Sequence, residues 1–120
     1  MRLDKLAKTA VAALEDIKGR DILVLDVKRM TSLFDAMIIV GADSNRHGRA
    51  LSRNLQEKAR AFGAHAYGVE GEQVGEWILV DLGSVIVHIM QHATRKYYNL
   101  EELWAPPPRA RRQRAGRAAS

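Results

Sequence analysis

Asp81, Ser84 and His88 fall within one short stretch of the sequence and together have the side chains of a nucleophilic catalytic set. A carboxylate, an imidazole and a hydroxyl in hydrogen-bonding order can activate an oxygen nucleophile. The sequence lacks the nucleophile elbow and the oxyanion loop that accompany such sets. These residues therefore do not predict catalysis, and we expect a binding protein and not an enzyme.

A metal site is the second chemistry that the residue types suggest. His88 and His92 are four positions apart in "HIMQH", which suits a metal if both lie on one helix. We expect His88 to end a strand and His92 to begin a helix, and the glutamate of an "HExxH" motif is absent. Glycines 68, 71 and 75 fit neither "GxGxxG" nor a P-loop. We therefore expect no metal and no cofactor.

An anion site is a third option, at the start of the second predicted helix. Ser44 and His47 flank Asn45 and Arg46 there, and a helix N-terminus offers free N–H groups to an anion. A plain N-cap with a basic, exposed helix face explains the same residues. Both interpretations remain open at this stage.

Composition places these residues in one small globular domain. The chain has 120 residues, 47% hydrophobic, with no cysteine, so disulfide and thiolate–metal scaffolds are excluded. The N-terminus carries acidic residues and does not resemble a signal peptide. Apolar runs such as "AMIIV" and "WILV" are too short to span a bilayer. We expect a soluble, cytoplasmic protein.

The net charge of +5 comes from the C-terminal end. Residues 105–120 carry three consecutive prolines, five arginines and no acid, and the rest of the chain is balanced, with 14 basic and 14 acidic residues. The composition predicts a disordered tail after a domain at residues 1–104. Contact of the tail with rRNA phosphates and a solubility function without a partner both remain open.

Periodicity predicts the order α-β-β-α-β-β-β-α. Helical spacing extends from Leu3 to Ile17 and again over 45–62, with Ser44 as N-cap and Gly63 as the stop. Strands are predicted at 21–27 and 36–40, within 64–76, and in the hairpin 76–88. A helix of two or three turns and a short terminal turn follow. This order indicates a single α/β domain with a mixed sheet of about five strands flanked by helices.

The hairpin raises the main functional hypothesis. With Leu82 and Gly83 as a two-residue loop, Asp81 pairs with Ser84, Leu79 with Ile86 and Trp77 with His88. One hairpin face is then uniformly aliphatic and must be core. The other, which we call the mixed face, consists of Trp77, Leu79, Asp81, Ser84, Ile86 and His88.

Two interpretations of the mixed face remain open. It is too polar for a dry core and too apolar for an idle surface, and tryptophan is enriched at interface hot spots. A protein-docking surface fits these properties. Alternatively, the third helix covers the face, and its polar groups find partners inside.

The sequence also resembles a known family. "TSLFDAMIIVGADSNRH" and "VEGEQVGEWILVDLGSVIVHIMQHATRKYYNLEELW" are similar to the ribosomal silencing factor (RsfS, or Iojap) family over the whole of residues 1–104. The loop "GADS" and the residues at 36 and 37 depart from the usual pattern. The matching residues are Thr31, Ser32, Asp35, Gly41, Ser44, Glu70, Gly71, Trp77, Asp81, Gly83, Val87, His88, Arg95, Tyr98, Leu100, Glu101, Leu103 and Trp104.

The resemblance implies a nucleotidyltransferase-like fold without the paired catalytic carboxylates. It also implies a repressor of translation that binds ribosomal protein L-fourteen on the large ribosomal subunit and blocks subunit joining when nutrients fall. Arg95 and Tyr98, three residues apart on a predicted helix, would continue the docking surface. The implied partner-binding residues are Trp77, Asp81, Ser84, His88, Arg95 and Tyr98.

Two alternatives remain beside this interpretation. The first is an RNA-binding protein that assists large-subunit assembly, using basic residues of the second helix and the tail. The second is a vestigial nucleotidyltransferase, for which the sequence offers only Asp43 after "IIVG". We expect a monomer or a weak homodimer.

Overall fold

A computed structural model describes residues 4–104 of the chain. Helix α1 spans Lys5–Asp16 and begins at Asp4, whose carboxylate accepts a hydrogen bond of 2.7 Å from the Ala7 N–H. Strand β1 follows at Arg20–Asp26. The predicted tail at residues 105–120 and the first residues of the predicted first helix lie outside the described part.

Strand β2 and helix α2 form the centre of the domain. Strand β2, Ala36–Ala42, is buried at all seven positions, as expected for a strand covered on both faces. Helix α2 spans Asn45–Phe62. The hydroxyl of Ser44 accepts from the His47 N–H at 3.0 Å, and Gly63 ends the helix with φ +103°. Both predicted caps are confirmed.

The second half of the chain builds the other edge of the sheet. It contains β3 at Gly68–Glu70, β4 at Trp77–Asp81 and β5 at Val85–Gln91. Two short helices follow, α3 at His92–Tyr98 and α4 at Leu100–Trp104. His92 begins a helix as predicted. The prediction that His88 ends a strand is wrong, because β5 continues to Gln91.

The five strands form one mixed sheet in the order β1-β2-β5-β4-β3. Strands β2 and β5 are parallel, whereas the pairs β1–β2, β4–β5 and β3–β4 are antiparallel. This confirms the predicted single α/β domain with five strands and flanking helices. Its likeness to nucleotidyltransferases stays a prediction.

The main core lies between α1, α2 and one face of the sheet. Fully buried aliphatic side chains alternate along the strands and meet Leu14, Leu51 and Leu55 of the helices. Each contributes about 1.5–3 kcal/mol relative to an exposed side chain. The strand residues are Ile38, Val40, Ile78, Val80, Val85, Val87 and Ile89, so the predicted core face of the hairpin is confirmed.

A smaller core lies on the opposite face of the sheet. Val27, Met37, Ile39 and Met90 are buried there beneath α3 and α4. Partly buried hydrophobic residues complete the cluster: Leu25, Phe34, Trp77, Leu100 and Trp104. Within residues 4–104, no helix is both long and apolar enough to cross a membrane.

Candidate functional site

The mixed face forms on β4 and β5, on the side of the sheet away from α1 and α2. All of its residues are half-buried, whereas the alternating residues of the same strands are fully buried. Alternation of side chains along a strand produces this difference. The predicted division of the hairpin into one core face and one mixed face is therefore confirmed.

The predicted pairing of the hairpin is wrong by two positions. Trp77 pairs with Met90, Leu79 with His88 and Asp81 with Ile86. The buried Leu82 stays in the ladder and donates to the carbonyl of Val85 at 2.9 Å, so the loop moves one residue along the chain. A shift of two positions moves no side chain to the other face.

The turn explains the new register. The carboxylate of Asp81 accepts from the Gly83 N–H at 2.8 Å, which is the local hydrogen bond that aspartate favours in turns. Gly83 has φ +90°, a conformation that suits glycine at the first position of a two-residue loop. The backbone carbonyl of Ser84 accepts from Asp35 and Ala36, which joins the turn to β2.

Trp77 and His88 touch as predicted, although they are diagonal neighbours. The indole Nε1–H of Trp77 donates to Nδ1 of His88 over 2.9 Å. Because an indole N–H is only a donor, Nδ1 must be the acceptor, and a neutral imidazole then carries its proton on Nε2. Burial lowers the pKa of His88 from 6.5 to about 4, which keeps the ring neutral near pH 7.

Tyr98 extends the mixed face onto α3. Its ring centroid lies 4.8 Å from that of Trp77, at an interplanar angle of 49°, and 4.9 Å from that of Tyr97. Tyr97 and Tyr98 are 80% and 51% exposed, and Leu103 on α4 is 73% exposed. Trp77 therefore lies at the centre of a partly exposed aromatic patch.

The hydrogen bonds of Arg95 are with residues outside this aromatic patch. Its guanidinium Nε donates to Glu101 at 3.0 Å, and Nη1 donates to the carbonyl of Arg20 at 3.3 Å. Only 14% of the Arg95 side chain is exposed. The structure thus places Arg95 where it holds α3 to α4 and to β1.

The six predicted site residues therefore fall into three groups. Trp77, His88 and Tyr98 form one cluster, with Trp77 contacting both rings. Asp81 and Ser84 lie at the hairpin turn, and Arg95 lies at the junction of α3 and α4. Helices α3 and α4 cover only part of the mixed face, so the interpretation of a covered face holds for that part, and docking at the open part stays a prediction.

A shallow pocket opens beside Trp77. It has a volume of about 340 Å³ and is lined by Glu70, Gly71, Trp77, Leu79 and His88. Sequence reasoning did not assign Glu70 or Gly71 to the site, although the "EG" dipeptide belongs to the pattern that resembles the family. Gly71 has φ +91°, and a Cβ there would lie 2.1 Å from the carbonyl oxygen of Trp77. Only glycine allows this approach.

Beside the start of α2, Asp43 is the centre of a surface cluster of ion pairs made within the domain. Its carboxylate lies 3.1 Å from Nη2 of Arg20 and 2.9 Å from Nε2 of His92, and both hydrogen bonds lower its pKa to about 2. His47 accepts from the Asp43 N–H and contacts the carbonyl of Ile17. Asp43 itself supplies the negative charge at this helix end, which favours the plain N-cap interpretation over an anion site.

The fold is that of a small α/β domain with one mixed sheet. Its mixed face carries a partly exposed aromatic patch. A sequence model of the family described as "Ribosomal silencing factor during starvation" matches residues 1–119. The chain belongs to this ribosomal silencing factor family.

Individual relatives agree with the assignment. The chain is 48% identical to "Ribosomal silencing factor RsfS" of Chromobacterium violaceum over 104 residues, 87% of this chain and 85% of that protein. A crystal structure of a protein from the same organism superposes with a TM-score of 0.83 and covers 87% of both chains. A longer mouse relative, "Mitochondrial assembly of ribosomal large subunit protein 1", is 31% identical over 78% of this chain and 42% of its own length.

Proposed function

We propose that this protein is a ribosomal silencing factor that binds ribosomal protein L-fourteen on the large ribosomal subunit. Bound there, it sterically prevents the small subunit from joining and represses translation when nutrients are limiting. It acts in the cytoplasm, as a monomer or weak homodimer, and catalyses no reaction. The proposal is supported by membership of the family and by names that refer to ribosomal silencing and large-subunit assembly.

The observation that carries the docking assignment is the half-open cluster of Trp77, His88 and Tyr98. The indole N–H of Trp77 donates to His88, and the Trp77 ring contacts the tilted ring of Tyr98. These contacts fix its ring before any partner binds, so little side-chain freedom remains to be lost on association. A rigid aromatic group beside a shallow pocket is typical of an interface hot spot.

Of the two alternatives, the described residues argue only against the vestigial nucleotidyltransferase. A vestigial nucleotidyltransferase needs carboxylates available for a metal, whereas the Asp43 carboxylate is engaged with Arg20 and His92. A function in large-subunit assembly is favoured by the name of the mouse relative and is compatible with binding to the same subunit.

Sucrose-gradient fractionation of a lysate tests the proposal. We expect the protein to co-sediment with free large subunits and to be absent from joined ribosomes. Addition of purified protein to separated subunits should also reduce the yield of joined ribosomes. An even distribution over both subunits, or joining that proceeds unchanged at saturating protein, would contradict it.

A matched pair of variants locates the surface. Trp77→Ala should release the protein from large subunits, whereas Phe62→Ala should leave sedimentation unchanged. Phe62 is a partly exposed aromatic residue at the end of α2, so its removal controls for the loss of an aromatic side chain. Equal sedimentation of the two variants would place the docking surface elsewhere.

A further inference from the structure

Helix α2 carries a row of arginines along one side. Arg46, Arg49, Arg53 and Arg60 follow the spacing i, i+3, i+7 and i+14, which places them in one stripe of an α-helix. At about 1.5 Å of rise per residue, this arginine stripe is about 21 Å long. Lys58, also on α2, lies off this stripe.

The charges of the arginine stripe are largely unpaired. Arg46, Arg53 and Arg60 are exposed, and none of them forms an ion pair with another residue in the range 4–104. Over its whole length α2 contains a single acidic residue, Glu57, which lies on the same side of the helix between Arg53 and Arg60 and interrupts the row of positive charges. Because these guanidinium groups form no ion pair within the described residues, folding does not use their charges. They form an extended, mainly positive edge of the helix.

Part of the arginine stripe lines a depression. Arg49, Arg53 and Arg60 surround a pocket of about 290 Å³, together with Gln56 and the carboxylates of Glu57 and Glu72. The Glu72 carboxylate accepts from the hydroxyl of the buried Ser52 at 2.7 Å and from the Gln56 amide at 3.2 Å. The hydrogen bonds that Glu72 accepts from side chains therefore come from neutral donors. Arg49 donates through Nη1 to the carbonyls of Glu72 and Gln73 at 3.4 Å, so three guanidinium charges face two carboxylates in this pocket.

We propose that the arginine stripe binds the phosphodiester backbone of RNA. Guanidinium groups form paired hydrogen bonds with phosphate oxygens, and a stripe about 21 Å long can contact several successive phosphates of one strand. RNA is the occupant because the chain belongs to a family of ribosomal factors, and ribosomal surfaces are rich in RNA backbone. The stripe reads no bases, so binding is insensitive to sequence.

The geometry separates this site from the mixed face. Helix α2 packs on the side of the sheet that carries Ile38 and Ile78, whereas Trp77 and His88 lie on the other side. A protein partner on the mixed face and an RNA strand on the arginine stripe therefore do not compete for one surface. The inference goes beyond the proposed function and does not depend on which ribosomal protein is bound.

The test measures binding of the full-length protein to an RNA duplex of about 16 base pairs over a series of salt concentrations. Arg53→Gln combined with Arg60→Gln removes two charges without removing a hydrogen bond recorded within the domain. We expect the slope of log affinity against log salt to fall by about 2, and affinity near 0.1 M salt to drop about tenfold or more. Arg53→Lys with Arg60→Lys should retain most of the slope.

A control of equal net charge completes the design. Lys5→Gln with Lys8→Gln removes two exposed charges from α1 and should change the slope by less than about 0.5, since these lysines lie outside the arginine stripe. An unchanged slope in the arginine variant would overturn the proposal and assign RNA affinity to the region after residue 104. Equal losses in the control would also overturn it, because net charge alone would then explain binding.

Binding to isolated ribosomal protein L-fourteen distinguishes this proposal from the proposed function. The Arg53→Gln, Arg60→Gln variant should bind that protein with unchanged affinity while losing RNA. Loss of both would show that the two surfaces are not separate and would contradict the inference. If the wild-type protein fails to bind L-fourteen and the Arg53→Gln, Arg60→Gln variant still loses RNA binding, the arginine stripe stays supported and the proposed function is rejected.

Discussion

The ring of Tyr98 contacts the indole of Trp77 in a tilted arrangement with centroids 4.8 Å apart, which joins α3 to the sheet at the open part of the mixed face. Tyr98 is 51% exposed, and Trp77 lies half-buried beneath it. This contact makes the position of the C-terminal helices and the shape of the proposed docking surface depend on each other. The first prediction follows from it.

Trp77→Ala should weaken binding to ribosomal protein L-fourteen by about 2 kcal/mol or more. The same change removes a hydrogen bond to His88 and the contact with Tyr98, so we expect a stability loss of about 1–3 kcal/mol. Titration calorimetry measures the affinity for L-fourteen, and urea unfolding of the same preparation measures the stability. Ile78→Ala, in the main core, is the control: it should cost about 2–5 kcal/mol of stability and little affinity. The docking assignment fails if Trp77→Ala binds as well as the wild type.

The lowered pKa of His88 predicts a pH-dependent stability. In the unfolded chain His88 takes up a proton near pH 6.5, whereas in the fold it does so near pH 4. Between these values the unfolded state binds more protons, so stability is complete above pH 6.5 and declines as pH falls toward 4. His88→Asn, whose amide oxygen replaces the acceptor Nδ1, should lack this decline.

Urea midpoints at pH 7.5 and pH 5 for both proteins measure the effect. Because the carboxylates titrate in both, the difference between wild type and variant isolates His88. His92→Asn, at an exposed histidine beside Asp43, is the control and should keep the decline of the wild type. Parallel pH profiles for wild type and His88→Asn would contradict a neutral His88.

Asp43→Asn should destabilise the domain in a salt-dependent manner. The carboxylate pairs with Arg20 and His92 at the surface, and its pKa of about 2 means that this contribution persists down to acid pH and is lost as pH falls through 2. Salt screens exposed charges, so the difference in melting temperature should be larger near 0.05 M salt than near 1 M. An equal difference at both concentrations would indicate that packing and not charge is lost.

Gly71→Ala should distort the pocket beside Trp77. The new Cβ would lie 2.1 Å from the carbonyl oxygen of Trp77, and φ +91° is strained for alanine, so we expect a loss of about 1–3 kcal/mol. Gly68→Ala is the control, because a Cβ there has nothing within 4 Å. Chemical denaturation compares the two. Similar midpoints for both variants would mean that the loop at Gly71 adjusts freely.

The sequence predicted those features that local chemistry determines. The bounds of α2 follow from Ser44 and Gly63, whose capping contacts involve only near neighbours in the chain. The two faces of the hairpin follow from alternation alone, and so Ile78, Val80 and Val87 were placed in the core from the sequence. These features need no knowledge of the rest of the fold.

Features that depend on distant residues were missed. The hairpin register was wrong because the choice between Leu82 and Ser84 as a loop residue depends on whether the core receives Leu82. Arg95 stays a predicted docking residue, but its contacts with Glu101 and the Arg20 carbonyl could not be predicted, because these groups become neighbours only when α3 and α4 fold back onto the sheet. Helical spacing carries no information about such contacts.

The parallel pairing of β2 with β5 determines the order in which the domain can assemble. Strands β1 and β2, like β4 and β5, pair across short connections, whereas Ala36 meets Val85 from a distance of 49 positions along the chain. Closing this longer loop costs somewhat more conformational entropy than closing the short connections, and non-local contacts slow folding, so we expect this pairing to form after the local pairs. Met37 and Ile39 meet Met90 only once it has formed, so a nascent or partly folded chain does not yet present the complete surface around Trp77. We therefore expect the proposed docking surface to be complete only after the parallel pairing has formed.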